Sequence, residues 1–313
     1  MKIAIIGAGG VGGFYGAQLL RVGVDVSFVA RGSHLAAIQA NGLRVIGPLG
    51  DVTVKPKAES DPAAIGPVDL VIVTIKTYNA TALPLIKPLM GPKTVVLTIQ
   101  NGVDSAGEVA AVAGEASTIA GATYIAAGIE SPGVVRQVGT HRRIVFGEVF
   151  GIPPAGATTI SPRVQAIADV LSKGDMQIEP VADARIPIWE KFIYLAPFAA
   201  FTGASRLPIG PIWSDEECRT RFLEAVGEVE RVARGSGIAI SKDVHVKVAG
   251  YTAGIPPTTR SSLLIDLSQG KKIEVESLLG SVVRRGRLAN VPTPMMAALY
   301  AVLKPHAHGA PPA

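Results

Sequence analysis

The chain of 313 residues holds one cysteine, Cys218. A lone thiol cannot close an internal disulfide, and no metal-ligand spacing accompanies it, so neither a disulfide framework nor a metal centre organises this protein. Long apolar runs are missing too. Hydrophobic residues make up 48% of the chain, yet no run reaches the roughly 20 residues that a membrane span requires. The first residues lack the basic region and small-residue cleavage site of a signal peptide and read at once as a core strand. The charge of +5 is modest, and its basic residues are dispersed without interleaved aromatics, which argues against nucleic acid. There is no internal repeat and no coiled-coil heptad. These absences leave a cytoplasmic protein of two domains, with no membrane and no nucleic-acid partner, whose mild positive excess suits small anionic ligands.

What is present begins at Met1. Ile3, Ala4, Ile5 and Ile6 form an apolar run of strand length. Gly7-Ala8-Gly9-Gly10-Val11-Gly12 follows and fits G-x-G-x-x-G, and apolar residues then recur at helical spacing from Tyr15 to Leu20. Strand, glycine turn and helix together are the context that a dinucleotide site requires. In that reading Gly7 makes the tight turn, Gly9 admits the pyrophosphate, and Gly12 lets the helix pack on the strand. The helix N-terminus offers N–H groups and a positive dipole end to the phosphates.

The second strand is Val26 to Val29, and Ala30-Arg31-Gly32 follows it. An NAD site usually has Asp or Glu about twenty residues after the glycines, to hold the ribose 2′-hydroxyl. Here Asp25 precedes the strand and no acid follows it. Arg31 suits a 2′-phosphate, with His34 as a helper, so the expected cofactor is NADPH. The plainer reading of Arg31 is a solvated loop arginine. A methyltransferase fits poorly, because its ribose would also need an acid at that point.

Further along, the pattern predicts a helix over 33–41, short strands at 43–46 and 52–54, and a buried strand over 68–74. A helix over 80–90 follows, then a strand over 94–98. Lys76 follows the third of the core strands, and Gln100-Asn101-Gly102 follows the fourth. Ligands bind at the carboxyl ends of such strands, which places Gly7, Arg31, Lys76 and Asn101 near one crevice. Strands over 119–127 and 133–147 come next, the second with turn residues at Gly139-Thr140 that suggest a hairpin. Ser161-Pro162 starts a helix over 162–173 with a serine cap and proline at the first helical position, and a strand over 177–179 completes the domain. From Pro187 strand-like runs cease. Segments 188–201, 215–234, 241–250, 259–268, 272–287 and 293–303 read as helices. The expectation is an α/β fold. Residues 1–182 form a Rossmann-type dinucleotide-binding domain, 183–305 an all-helical substrate domain, and 306–313 a flexible tail. His306 and His308 lie in that tail and read as solvated.

Two residues of the helical part carry chemistry. Lys191 shares a helix face with Ile188, Leu195 and Phe198, so it either snorkels to water or reaches a polar cleft as a proton donor with a lowered pKa. Glu274 lines up with Leu278 and Val282 and points inward, where a carboxylate needs a partner, either structural or a substrate hydroxyl. Ser261 and Ser262 open a helix, and either serves as its cap.

In order and spacing, these motifs resemble the ketopantoate reductase (2-dehydropantoate 2-reductase) family from Met1 to about Leu303. The motifs are Gly7 to Gly12, Arg31, Ile75-Lys76, Gln100-Asn101-Gly102, Ser131-Pro132-Gly133-Val134-Val135, Trp189-Glu190-Lys191, Ser261-Ser262 and Lys272-Ile273-Glu274. The resemblance implies a Rossmann domain joined to a helical domain like that of 6-phosphogluconate dehydrogenase, with the active site in the cleft between them. It also implies NADPH-dependent reduction of 2-dehydropantoate to (R)-pantoate, in pantothenate synthesis. Lys191 matches the catalytic lysine that protonates the carbonyl oxygen. Glu274 matches the carboxylate that holds the substrate hydroxyl, and Ser262 a binder of the substrate carboxylate. Asn101 matches an asparagine touching cofactor and substrate, and Lys76 a lysine on the cofactor side. The chain departs from the family where asparagines usually stand four and eight residues after the lysine: here they are Leu195 and Ala199. That departure keeps open a different 2-oxo or 3-hydroxy acid as substrate. Pro197, nearby, is expected to kink the helix. A non-catalytic NADPH-binding sensor is the remaining alternative. A homodimer through the helical domain is compatible with the pattern, although no exposed stripe marks one.

Overall fold

The computed structural model describes residues 1–153 and 157–310. The chain divides into two units, one of Met1–Gln100 with Ser105–Arg185, the other of Asn101–Asp104 with the residues from Ile186 onward. The division thus falls at 185/186, and a short stretch after the fourth core strand goes with the helical unit.

The first unit is built on one sheet. Its elements in chain order are β1 (Lys2–Ile6), α1 (Gly10–Arg21), β2 (Asp25–Val29), α2 (Gly32–Asn41), β3 (Leu43–Ile46), β4 (Val52–Val54), β5 (Lys57–Glu59), β6 (Leu70–Val73) and β7 (Val95–Thr98). They continue with α3 (Ser105–Ala113), β8 (Thr118–Ser131), β9 (Val134–Gly147), α4 (Pro162–Leu171) and β10 (Gln177–Val181). The strand order is β4-β3-β9-β8-β7-β6-β1-β2-β5, with β10 on β9. From β5 across to β8 every pairing is parallel. Chain order runs outward in both directions from β1, so the switch point lies between β1 and β6, where doubly wound folds bind ligands. The central strands are largely apolar because both faces are covered: Ile3 and Ile5 face one core with Phe14, Phe28 and Ile72, and Ala4 and Ile6 face the other with Val71, Val73 and Ile86.

The second unit is helical: α5 (Arg185–Ser205), α6 (Ile209–Ser214), α7 (Glu216–Gly235), α8 (Val244–Gly254), α9 (Ser262–Ser268), α10 (Ser281–Leu288) and α11 (Pro294–Leu303). Its core gathers Phe192, Ile193, Phe222, Val226, Val229, Leu278 and Val282. Buried Glu228 ties α7 to α11, because its carboxylate accepts from the Met295 and Met296 N–H groups at the start of α11.

Several sequence expectations change. Thr77–Leu89 is 3₁₀-helical with a kink at Asn79, since Pro84 and Pro88 cannot donate to a continuous α ladder. The chain does not turn at Gly139: β8 and β9 are long antiparallel partners joined at Pro132-Gly133, and Gly139, at φ +69°, lies in an irregularity of β9. Helix α5 runs through Pro197 to Ser205. The helix expected over 272–287 begins later, with a π turn over Glu276–Gly280 leading into α10. The segment from 306 is not loose as far as 310. The Ile273 N–H donates to the Ala307 carbonyl and the Ala310 N–H to the Gly270 carbonyl. Glycines at 270 and 309 let the two backbones meet, for a Cβ on Gly309 would stand 2.6 Å from the Gly270 oxygen. Residues 311–313 of the expected tail lie outside the described residues. Among the described residues no helix is long and apolar enough to cross a membrane.

Candidate active site

In the first unit the glycine turn leaves β1 at the switch point. Gly7 adopts φ +105°, which L side chains rarely tolerate. The Thr74 hydroxyl, just past β6, donates to the Gly7 carbonyl at 2.7 Å and so locks the turn to the neighbouring strand. Beyond it the glycines divide by job. A Cβ on Gly10 would lie 2.1 Å from the Ala127 carbonyl oxygen, and one on Gly12 would lie 2.1 Å from that of Gly7. Those two are needed for packing inside the unit. A Cβ on Gly9 would meet nothing within 4 Å. Gly9 therefore faces open space at the N-cap of α1, and the N–H groups of Gly10, Val11 and Gly12 have no acceptor among the described residues. Ala8 is buried beneath them. Unbonded amides around an open approach, at the positive end of a helix dipole, fit a pyrophosphate.

Arg31 caps α2 with extended backbone, its carbonyl accepting from the Leu35 N–H, and its exposed side chain makes no hydrogen bond or ion pair among the described residues. It stands at the same end of the sheet as Gly7, on the adjacent strand. The residues present fit a dinucleotide bearing a 2′-phosphate: Gly9 to Gly12 would hold its pyrophosphate, and Arg31 its extra charge. His34 does not help there, contrary to expectation. Its Nδ1 accepts from the Gly133 N–H at 3.0 Å, which leaves Nε2–H to donate to the Ala8 carbonyl at 2.7 Å. Both ring nitrogens are spent on latching the glycine turn to the β8–β9 connection. Lys76 follows β6 and is partly buried at the start of the 3₁₀ segment, again at this end of the sheet. Gln100 braces the same region by donating from Nε2 to the Ile75 carbonyl at 2.7 Å.

In the second unit Lys191 lies on α5, partly buried, and its Nζ donates to Asn101 Oδ1 at 2.9 Å. Withdrawal from water pushes the ammonium down to about 8, and the negative charge of Glu274 opposes that fall. Glu274 is 5% exposed, on the non-helical lead-in to the π turn, and its backbone carbonyl accepts from Leu278 N and Ser277 Oγ. Lysine, asparagine and carboxylate thus form one cluster from positions 90 and 83 residues apart in the chain. The two serines separate in role. Ser261 is the buried cap of α9: its Oγ accepts from Leu264 N and shares a hydrogen bond with Thr202. Ser262 is exposed, and its hydroxyl has no partner among the described residues. One and two turns beyond Lys191 on α5, Leu195 is partly buried, and Ala199 lies in the core at 1% exposure. Among the described residues no group of acids, histidines and cysteine could hold a metal ion.

The chain as a whole has relatives among known proteins. A family model described as ketopantoate reductase PanE/ApbA matches residues 3–151, and the model of its C-terminal part matches residues 183–307. The chain belongs to the ketopantoate reductase family. The 2-dehydropantoate 2-reductase of Mesorhizobium japonicum is 32% identical over 97% of each chain. The crystal structure of a PanE/ApbA family ketopantoate reductase from Ralstonia eutropha JMP134 superposes with a TM-score of 0.87 at 30% identity, over 98% of each chain. That of 2-dehydropantoate 2-reductase from Geobacter metallireducens GS-15 gives 0.89 at 28% identity, covering 97% of this chain and 99% of that one. This ketopantoate reductase family member is an oxidoreductase, and its family uses NADPH. The first matched stretch carries the glycine turn, Arg31, Lys76 and Asn101. The second carries Lys191, Ser262 and Glu274.

Sequence reasoning missed the residues that hold these groups in place. Thr74 carries no motif: in the sequence it is one more β-branched residue at the end of an apolar run. His34 was singled out for its charge, whereas it works through one donor and one acceptor.

Proposed function

We propose that this chain reduces 2-dehydropantoate to (R)-pantoate with NADPH, Lys191 acting as general acid. The observation that carries the reading is the Lys191–Asn101 hydrogen bond beside Glu274, in surroundings that bring a lysine to about 8. A donor near neutral pKa is both substantially protonated at working pH and ready to release its proton.

NADPH, when bound, would supply the hydride that the carbonyl carbon receives. As charge develops on the carbonyl oxygen, the Lys191 ammonium polarises that bond and then gives the oxygen its proton. Asn101 aims the ammonium through its amide oxygen. Glu274 keeps the lysine charged and offers the substrate hydroxyl an acceptor. The unpartnered Ser262 hydroxyl serves the substrate carboxylate. Arg31 and Lys76 serve the cofactor, and Gly9 with the amides of Gly10, Val11 and Gly12 serves its pyrophosphate.

The test is NADPH oxidation with 2-dehydropantoate and a panel of bulkier 2-oxo acids, with Lys191→Ala alongside. Turnover of 2-dehydropantoate, reduced by about two orders of magnitude or more in the variant, is the expected result. A clear preference for another acid would keep the chemistry and replace the substrate. Tight NADPH binding without turnover of any acid would sink the reading.

A further inference from the structure

Asn101 meets Lys191 from a four-residue segment, Asn101–Asp104, that groups with the helical unit. This Asn101–Asp104 segment is fastened at every position. Gly102 adopts φ +93° and runs so close to the π turn that a Cβ would stand 2.9 Å from the Ser277 carbonyl oxygen. Val103 packs on the helical core. Asp104 and the Val103 carbonyl are both held by one side chain, Arg285 of α10: its Nε donates to Asp104 Oδ1 at 2.7 Å, and its Nη2 to the Val103 carbonyl at 3.2 Å. The same guanidinium lies over the ring of Trp189, 5.6 Å from its centroid. Trp189 is two residues before Lys191 on α5. One planar cation therefore touches both sides of the Lys191–Asn101 pair, the helix that carries the lysine and the segment that carries the asparagine. A second arginine, Arg284, reaches Asp104 only at 3.8 Å and is taken up chiefly by Glu276 at 2.9 Å.

We infer that Arg285 is a positioning residue for the reduction, holding the Asn101–Asp104 segment so that Asn101 directs its amide oxygen at the Lys191 ammonium. This rests on the reading of Lys191 as the general acid. Arg285 contacts neither Lys191 nor Asn101 directly. It fixes the two backbones that set their separation, and an ångström of drift in a hydrogen-bonded donor is enough to slow a proton transfer. A guanidinium suits the task better than an ammonium. Its planar fork serves a carboxylate and a carbonyl together while its face lies on an indole.

The experiment is a double-mutant cycle in the full-length enzyme with NADPH and its best 2-oxo acid. The variants are Arg285→Ala, Asn101→Ala, the pair, and Arg285→Lys, with Lys191→Ala alongside. The expected loss in kcat/KM for Arg285→Ala is about tenfold or more. The pair should be no slower than Asn101→Ala alone, because both changes break one arrangement. Arg285→Lys should recover part of the rate through Asp104. The alkaline limb of kcat/KM should move to lower pH in Arg285→Ala, since the ammonium loses an aligned acceptor. Losses that multiply in the pair, an unmoved limb, or full activity in Arg285→Ala would each overturn the inference. If Arg285→Ala fails to fold, Asp104→Asn cuts the same link from the other side and must reproduce the loss and the displaced limb. Full activity there overturns the proposal. Unimpaired turnover by Lys191→Ala would instead overturn the general-acid reading, whatever the Arg285 variants do.

Discussion

If Lys191 is the general acid proposed above, raising the pH above about 8 should slow reduction, because the proton it would donate is lost there. An ordinary lysine titrates at 10.5, and burial brings this one to about 8. At pH 10 an unshifted lysine would be mostly protonated, whereas one at 8 is protonated to roughly 1%, a difference of about 75-fold in active acid. The kcat/KM of the 2-oxo acid, measured at saturating NADPH from pH 6 to 10.5, should be level up to about pH 7.5 and then fall tenfold per pH unit. Stability runs the other way. The folded-state value lies below the unfolded one, so between 8 and 10.5 the unfolded chain binds more protons and this group adds stability as pH rises, by up to ~3 kcal/mol. Lost rate above pH 8 is therefore not unfolding driven by Lys191, and a thermal melt at each pH separates the two. Glu274→Gln removes the charge that opposes the fall and should move the limb to lower pH. A profile level to pH 10, or a limb that Glu274→Gln leaves in place, would refute a depressed lysine acid steadied by Glu274.

The glycine turn offers a contrast. Gly9→Ala should leave the melting temperature of the apoprotein nearly unchanged, within about 0.5 kcal/mol, yet weaken NADPH binding in a fluorescence titration, because only the ligand would meet the new methyl. Gly10→Ala should instead destabilise the protein itself by about 1–3 kcal/mol, read by denaturant titration, since its Cβ meets the Ala127 carbonyl. Arg31→Ala should raise the KM for NADPH about tenfold while that for NADH changes little, because only the 2′-phosphate needs its charge. His34→Ala should weaken NADPH binding by freeing the Ala8 carbonyl, and His34→Gln, which keeps one donor and one acceptor, should restore part of it in the same titration.

Much of the fold was legible because its signals are local. A strand, three glycines and a helix read directly as a nucleotide turn, since their spacing is set within a few residues. The Ser161-Pro162 start of α4 was legible for the same reason: Ser161 accepts from Val164, three residues on. Other features hid in distant partners. Nothing near Gly139 says that the residues on both sides of it pair with β8, so the local turn signal points to a hairpin. The lead-in of Glu274 looks helical by spacing, yet the π turn after it moves the register. Ser261 and Ser262 are equivalent as letters, and only the hydroxyl of Thr202, 59 residues away, shows which one is buried.

By itself the sequence determined the class of the fold, the place of the dinucleotide turn and the residue types available for chemistry, because periodicity, glycine spacing and the missing acid after the second strand are properties of neighbouring residues. Tertiary structure alone decided which of those residues act together. It put Asn101 against Lys191, took His34 away from the phosphate to serve the turn, and set Arg285 on the segment that carries Asn101. A hydrogen bond depends on distances of about 3 Å, and residues ninety positions apart reach that distance only once the chain has packed.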